Sequence, residues 1–141
     1  MGYRSDVAYT IRFTSDVPDS EVHDHLDPKP IRDAFYTFIA EAKSKPATAG
    51  CFSERDNLHV NEDKLELNFY CESVKWYDSF EEVQCHEQLV SLAREWVSDC
   101  PYIGVIFSRV GEELEDMQLE FDGNYDYDWL HIYRSVKPDW S

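Results

Sequence analysis

Asp6-Val7-Ala8-Tyr9-Thr10-Ile11-Arg12-Phe13-Thr14 is the stretch that decides the fold. Val7, Tyr9, Ile11 and Phe13 alternate with Ala8, Thr10 and Arg12. Successive side chains on a strand point to opposite faces, so this period of two predicts a strand over Asp6 to Thr14 with one buried face. The segment from Ser15 to Pro30 is rich in Asp and holds Pro18, Pro28 and Pro30, so it reads as a loop. Ile31, Ala34, Phe35, Phe38, Ile39 and Ala42 then recur at i, i+3 and i+4, a spacing that shares one side only on a helix, predicted over Pro30 to Lys45.

Pro46 to Asn57 punctuates the chain. Leu58 to Val60 and Lys64 to Glu72 read as a hairpin around Asn61-Glu62-Asp63, with Leu65, Leu67 and Phe69 on its inner side. From Ser79 to Asp99 the helical period returns in Phe80, Val83, Leu89, Val90, Ala93, Trp96 and Val97, until Cys100-Pro101 stops it. Tyr102 to Val110 is a β-rich run. Met117, Leu119 and Phe121 alternate with Gln118, Glu120 and Asp122 in a further strand, Gly123-Asn124 marks a turn, and Trp129 to Arg134 forms a last strand. The order β-α-β-β-α-β predicts one α+β domain over residues 1–141. Its arrangement is ferredoxin-like, an antiparallel sheet with two helices on one face, extended by a C-terminal hairpin arm.

The 141 residues are 43% hydrophobic and 15% aromatic, enough for a real core. Lys and Arg number 13 against 29 Asp and Glu, a formal charge of -16. Solubility asks only about 2 to 8 charges of a small domain. A negative field of this size repels nucleic acid and anionic membranes, and it attracts proteins whose own sites hold phosphates. Direct nucleic-acid binding is therefore excluded as an expectation. No stretch approaches the ~20 apolar residues of a membrane span, and Met1 to Phe13 lacks the layout of a secretory signal, so the expected compartment is the cytoplasm.

Cys51, Cys71, Cys85 and Cys100 show no CxxC spacing and read as reduced core thiols. His23-Asp24-His25 with Asp27 offers metal-ligand types, but in one loop without a ligand from elsewhere, and reads as an exposed loop. Cys85 and His86 are neighbours on a helix and point about 100° apart, so they do not form a nucleophile and base by themselves. There is no phosphate-cradling Gly-rich loop, GxSxG or HExxH. No catalytic residue, metal site or cofactor is expected.

The strongest signal is the acidic run Glu112, Glu113, Glu115, Asp116, Glu120, Asp122, Asp126 and Asp128, with no Lys or Arg between Arg109 and Arg134. Same-face residues on a strand repeat at about 6.6 Å. Duplex DNA carries a charge every ~1.7 Å of axis, so a mimic must draw on several strands or on a homodimer. Carboxylates placed in this way accept charge-assisted hydrogen bonds from phosphate-binding Arg and Lys. The other reading of the run is a solvated or halophilic face. Tyr125, Tyr127 and Trp129 interleave with Asp126 and Asp128. Rigid rings beside acids suit a protein interface, and equally a strand packing its aromatics on a sheet.

Met1-Gly2-Tyr3-Arg4-Ser5-Asp6-Val7 resembles the opening of many small proteins encoded by tailed bacteriophages. The resemblance covers that heptapeptide and the strand after it. It implies a phage origin and, for so acidic a chain, a DNA-mimic inhibitor of a host DNA-binding protein in the host cytoplasm. DNA gyrase is favoured for its long basic DNA-binding surface; a CRISPR effector, a restriction enzyme and RNA polymerase are the other targets. The candidate partner-binding residues are Glu112, Glu113, Glu115, Asp116, Glu120, Asp122, Asp126, Tyr127, Asp128 and Trp129. The rival is a non-enzymatic interaction module, a phage assembly or regulatory factor, that binds through the C-terminal aromatic arm.

Overall fold

The computed structural model describes residues 4–14, 29–52, 58–77, 79–113 and 116–123. Strand β1 spans Ser5–Phe13, helix α1 Lys29–Ser44, helix α2 Pro46–Ala49, strand β2 Leu58–Asn61, strand β3 Glu66–Val74, helix α3 Glu81–Val97, strand β4 Ile103–Gly111 and strand β5 Met117–Gly123. A 3-10 turn, Gly50–Phe52, follows α2. The chain is α+β, and its described strands form a five-stranded antiparallel sheet in the order β2-β3-β1-β4-β5.

The period of two read in β1 is realised as a strand paired along both edges. Tyr9 lies opposite Phe69 of β3 and Phe107 of β4, and Val7, Tyr9 and Ile11 are fully buried. Their rings stack, with centroids 5.1 Å apart for Tyr9 and Phe69 and 6.4 Å for Tyr9 and Phe107. A polar atom inside such a cluster needs a partner. The Tyr9 hydroxyl finds one in Nδ1 of His86 on α3, at 2.6 Å. The intervening side chains form a second face. There Thr10 lies opposite Asn68 and Ile106, and its Oγ1 donates to Asn68 Oδ1 at 2.9 Å.

Helix α1 buries Ile31, Phe35, Phe38, Ile39 and Ala42, the stripe expected from their spacing. Phe13 of β1 meets Phe35 and Phe38 of α1 and Trp96 of α3, at ring separations of 5.8, 5.7 and 6.2 Å. The residue before a proline is pushed out of the helical region. Lys45, before Pro46, is accordingly extended at φ -97 and ψ 128, which ends α1 and starts α2. Proline fits the first turn of a helix because its missing N–H has no intrahelical acceptor there. The stretch from Pro46 to Asn57, read as punctuation, thus contains α2 and the 3-10 turn, so the described residues hold three α-helices where two were expected.

Helix α3 begins with Glu81 and Glu82 in its first turn, where the helix dipole favours negative charge. It buries Val83, His86, Leu89, Val90, Leu92 and Ala93. Phe80, assigned to the buried stripe from the sequence, precedes the helix and is 42% exposed. The strand assigned to a C-terminal arm joins the main sheet as β5. Its polar set shares the Tyr9 face, with Glu120 opposite Phe107. Met117 and Leu119, opposite Val110 and Ser108, are half exposed on the Thr10 face. The last predicted strand, Trp129 to Arg134, lies outside the described residues. Among the described residues no helix is long and apolar enough to cross a membrane.

At the end of β5, Gly123 has φ 71, and a Cβ there would sit 2.4 Å from the Ile103 carbonyl oxygen. Left-handed backbone alone costs a non-glycine residue about 1 kcal/mol. Because the clash is with backbone, Gly123→Ala is expected to cost more than that, about 2 kcal/mol or above, seen as a lower urea midpoint. Tyr9→Phe is expected to cost about 1–3 kcal/mol in the same measurement, since it removes the hydroxyl partner of a buried ring nitrogen.

Candidate acidic interaction surface

The acidic run is contiguous in sequence, but its described members fall into four places in the fold. Asp116 immediately precedes β5 and is gripped by Arg109 of β4, with Nη2 to Oδ1 at 2.6 Å and Nη1 to Oδ2 at 3.1 Å. This two-point pairing accompanies the closure of the β4–β5 turn, where the Gly111 N–H donates to the Asp116 carbonyl at 2.8 Å. Glu120 lies further along β5 on the Tyr9 face and accepts from Arg94 Nη2 of α3 at 2.5 Å and from Gln118 at 3.3 Å. Asp122 lies at the far end, opposite Val105, and its Oδ1 accepts from the Gly123 N–H at 3.1 Å. No cation lies within the run in sequence, yet in space Arg109 and Arg94 pair with two of its members.

Glu112 and Glu113 are exposed just beyond β4, and Glu112 Oε1 accepts from the Arg4 backbone N–H at 2.9 Å. They are joined by acids from elsewhere in the chain. Ser5 lies opposite both Val74 and Gly111, so one end of the sheet gathers the start of β1, the end of β3 and the end of β4. Asp6, Glu72, Glu112 and Glu113 therefore meet at that end, all exposed. Glu115, Asp126, Tyr127, Asp128 and Trp129 lie outside the described residues, as does the His23-Asp24-His25 loop with Asp27.

Tyr70 records the field at this end. Its hydroxyl donates to Glu72 Oε1 at 2.5 Å, and its pKa is pushed up to about 12. The hydrogen bond to Glu72 is the largest cause, followed by desolvation and then by the charges of Glu72 and Asp6. Ionising the phenol would discard that bond and set a third negative charge beside two carboxylates. Asp6, Tyr70 and Glu72 escape a reading of the run alone. The signal that finds them is the pairing of β1 with β3, which brings residues far apart in sequence to one sheet end.

Beside the Arg94–Glu120 pair lies a pocket of about 370 Å³ lined by Glu87, Val90, Ser91, Arg94, Phe107 and Gln118 along with Glu120. The one guanidinium in this lining already holds a carboxylate, so the pocket offers an incoming anion little. Among the described residues no group of three or more His, Cys, Asp or Glu is placed to hold a metal ion. His86 is buried against Tyr9, and its ring lies 4.1 Å from that of Phe69. No family model, curated protein or solved structure matches the chain.

The hydrogen bond from Arg94 is the largest influence on Glu120 and holds its carboxyl below the usual 4.5, against a smaller opposing effect of desolvation. A carboxyl with a depressed folded-state pKa contributes stability above its unfolded value, and that contribution is lost as pH falls through the folded value. Both partners are partly exposed, so the pair is worth about 0.5–1 kcal/mol. Glu120→Gln is expected to lower the unfolding free energy from urea titration at pH 7 by that amount and to leave it unchanged near pH 2. In protein carrying labelled tyrosine rings, NMR titration is expected to find Tyr70 ionising at about 12. Glu72→Gln is expected to move that value back toward the usual 10.0.

Proposed function

We propose that the chain is a phage-encoded acidic DNA mimic that acts in the host cytoplasm by occupying the DNA-binding surface of a host enzyme. The observation that carries this is the sheet end where Asp6, Glu72, Glu112 and Glu113 converge from β1, β3 and the segment after β4. Adjacent strands lie about 4.8 Å apart, so three neighbouring strands span about 10 Å. Four charges over that width approach the one charge per ~3.4 Å of a single DNA strand. Matching the duplex requires further acids or a second copy, and a homodimer supplies the second copy. The host partner gains charge-assisted hydrogen bonds to its Arg and Lys and releases counterions. DNA gyrase is the favoured partner, ahead of a CRISPR effector, a restriction enzyme and RNA polymerase. No catalysis, cofactor or nucleic-acid contact enters this role.

The scaffold is proposed to be ferredoxin-like. The order β2-β3-β1-β4 with antiparallel neighbours supports this, with β5 as an added edge. Contacts of Phe13 with rings of both α1 and α3 support placing the two long helices on one side of the sheet. That side would carry Val7, Tyr9, Ile11 and Phe13, leaving the strand ends for a partner, since the middle of the opposite face is itself buried at Thr10, Ile106 and Ser108.

A second reading has its own observation. Tyr70, Met117 and Leu119 are large side chains left 56%, 49% and 45% exposed on the Thr10 face. An interaction module for phage assembly or regulation would use such apolar surface, together with the aromatic residues Tyr127 and Trp129. The two readings differ in salt dependence, because counterion release applies only to the mimic.

The test is inhibition of DNA gyrase supercoiling over a salt series. The combined variant Asp6→Asn, Glu72→Gln, Glu112→Gln and Glu113→Gln is expected to lose inhibition by at least about tenfold, whereas Glu62→Gln with Asp63→Asn at the β2–β3 turn is expected to keep it. Wild-type inhibition is expected to weaken steeply between 50 and 200 mM salt, on the order of the losses seen for phosphate contacts, and to yield to excess duplex DNA. Full inhibition by the folded quadruple variant would refute the mimic. Salt-tolerant binding lost in Tyr127→Ala or Trp129→Ala would establish the module.

A further inference from the structure

Cys51 and Cys85 are 34 positions apart in the chain, yet their Sγ atoms lie 2.8 Å from one another. The 3-10 turn after α2 carries the first and α3 carries the second. None of the four cysteines is in a disulfide. The two sulfurs differ in access. Cys51 is fully buried, whereas Cys85 is partly exposed and lines a pocket of about 540 Å³ with Pro46, Ala47, Gly50, Glu81 and Gln84. Gly50 leaves one side of Cys85 uncovered, since the Cβ it lacks would sit 3.5 Å from Cys85 Sγ, in van der Waals contact.

We infer that Cys51 and Cys85 form a redox-active dithiol, oxidised to a reversible disulfide by low-molecular-weight disulfides that enter through this pocket. Cys85, as thiolate, attacks one sulfur of the incoming disulfide, forms a mixed disulfide and expels one small thiolate. Cys51 then attacks the Cys85 sulfur, closes the Cys51–Cys85 bond and expels the second small thiolate. Two electrons pass from the protein to the reagent, and the two thiol protons end on the two released thiols. The order follows from burial: Cys85 meets the reagent, and Cys51 resolves the adduct without meeting solvent. The bridge would tie the turn after α2 to α3.

Cystamine, whose two amines are cationic, is the suitable probe, because Glu81 lines the entrance and the net charge of -16 repels anionic disulfides. Reduced full-length protein is treated with cystamine, remaining thiols are alkylated, and the intact mass and cross-linked peptides are measured. The expected product has lost two hydrogens, about 2 Da, carries alkyl groups on Cys71 and Cys100 only, yields a peptide joining Cys51 to Cys85, and reverts with dithiothreitol. Cys51→Ser is expected to stop at a single cysteamine adduct on Cys85. A bridge mapped to other cysteines would overturn the assignment. So would adducts spread evenly over all four without a bridge. The wild-type peptide map decides the matter even if a variant fails to fold.

Discussion

Strand β1 is paired along both edges, from Ser5 to Arg12 against β3 and from Ser5 to Phe13 against β4. A strand held on two sides has no freedom of register. A slip by one residue would exchange Tyr9 with Thr10 and turn every apolar side chain to the wrong face. Tyr9 fixes the register further, because its ring must lie between Phe69 and Phe107 while its hydroxyl reaches His86. Phe13 then sets the positions of α1 and α3 through Phe35, Phe38 and Trp96. The same register decides which strand ends meet, and so which carboxylates become neighbours.

The electrostatics follow from that geometry. Where an acid must lie against the sheet, an arginine accompanies it: Arg109 with Asp116 and Arg94 with Glu120. A carboxylate beside packed apolar surface loses hydration, and a charge-assisted hydrogen bond offsets the loss. Asp6, Glu72, Glu112 and Glu113 lie beyond the packed region, where water solvates them and repulsion is screened. The described acids are thereby sorted into those held by an arginine against the sheet and those exposed at its end.

The strands and the two long helices were legible in the sequence because their apolar positions keep one period over several turns or pleats. Val7 to Phe13 and Ile31 to Ala42 are the clearest cases, and their elements fall within a residue of expectation. Helix α2 is too short for a period to register, and its cause is local, Pro46 acting on Lys45. Phe80 misled because it continues the α3 stripe in spacing but sits at the N-cap, before the helix. The candidate site was half legible. A charge run can be read along the chain, but its compensation by Arg94 and its union with Asp6 and Glu72 depend on β-pairing over long sequence separations. The Cys51–Cys85 contact, which joins two elements without a shared motif, was hidden for the same reason.

Among the described residues β5 is an outermost strand of the sheet, and it carries Glu120 and Asp122 on one face with Met117 and Leu119 on the other. A sheet edge with half-exposed apolar side chains, wherever it is left open, is a template on which other copies add strands and build fibrils. Two such edges meeting antiparallel would bring carboxylates of one copy against those of the next, where like charges repel. Charge on β5 therefore disfavours pairing of two copies along this one edge and directs any contact between copies to other surfaces of the sheet.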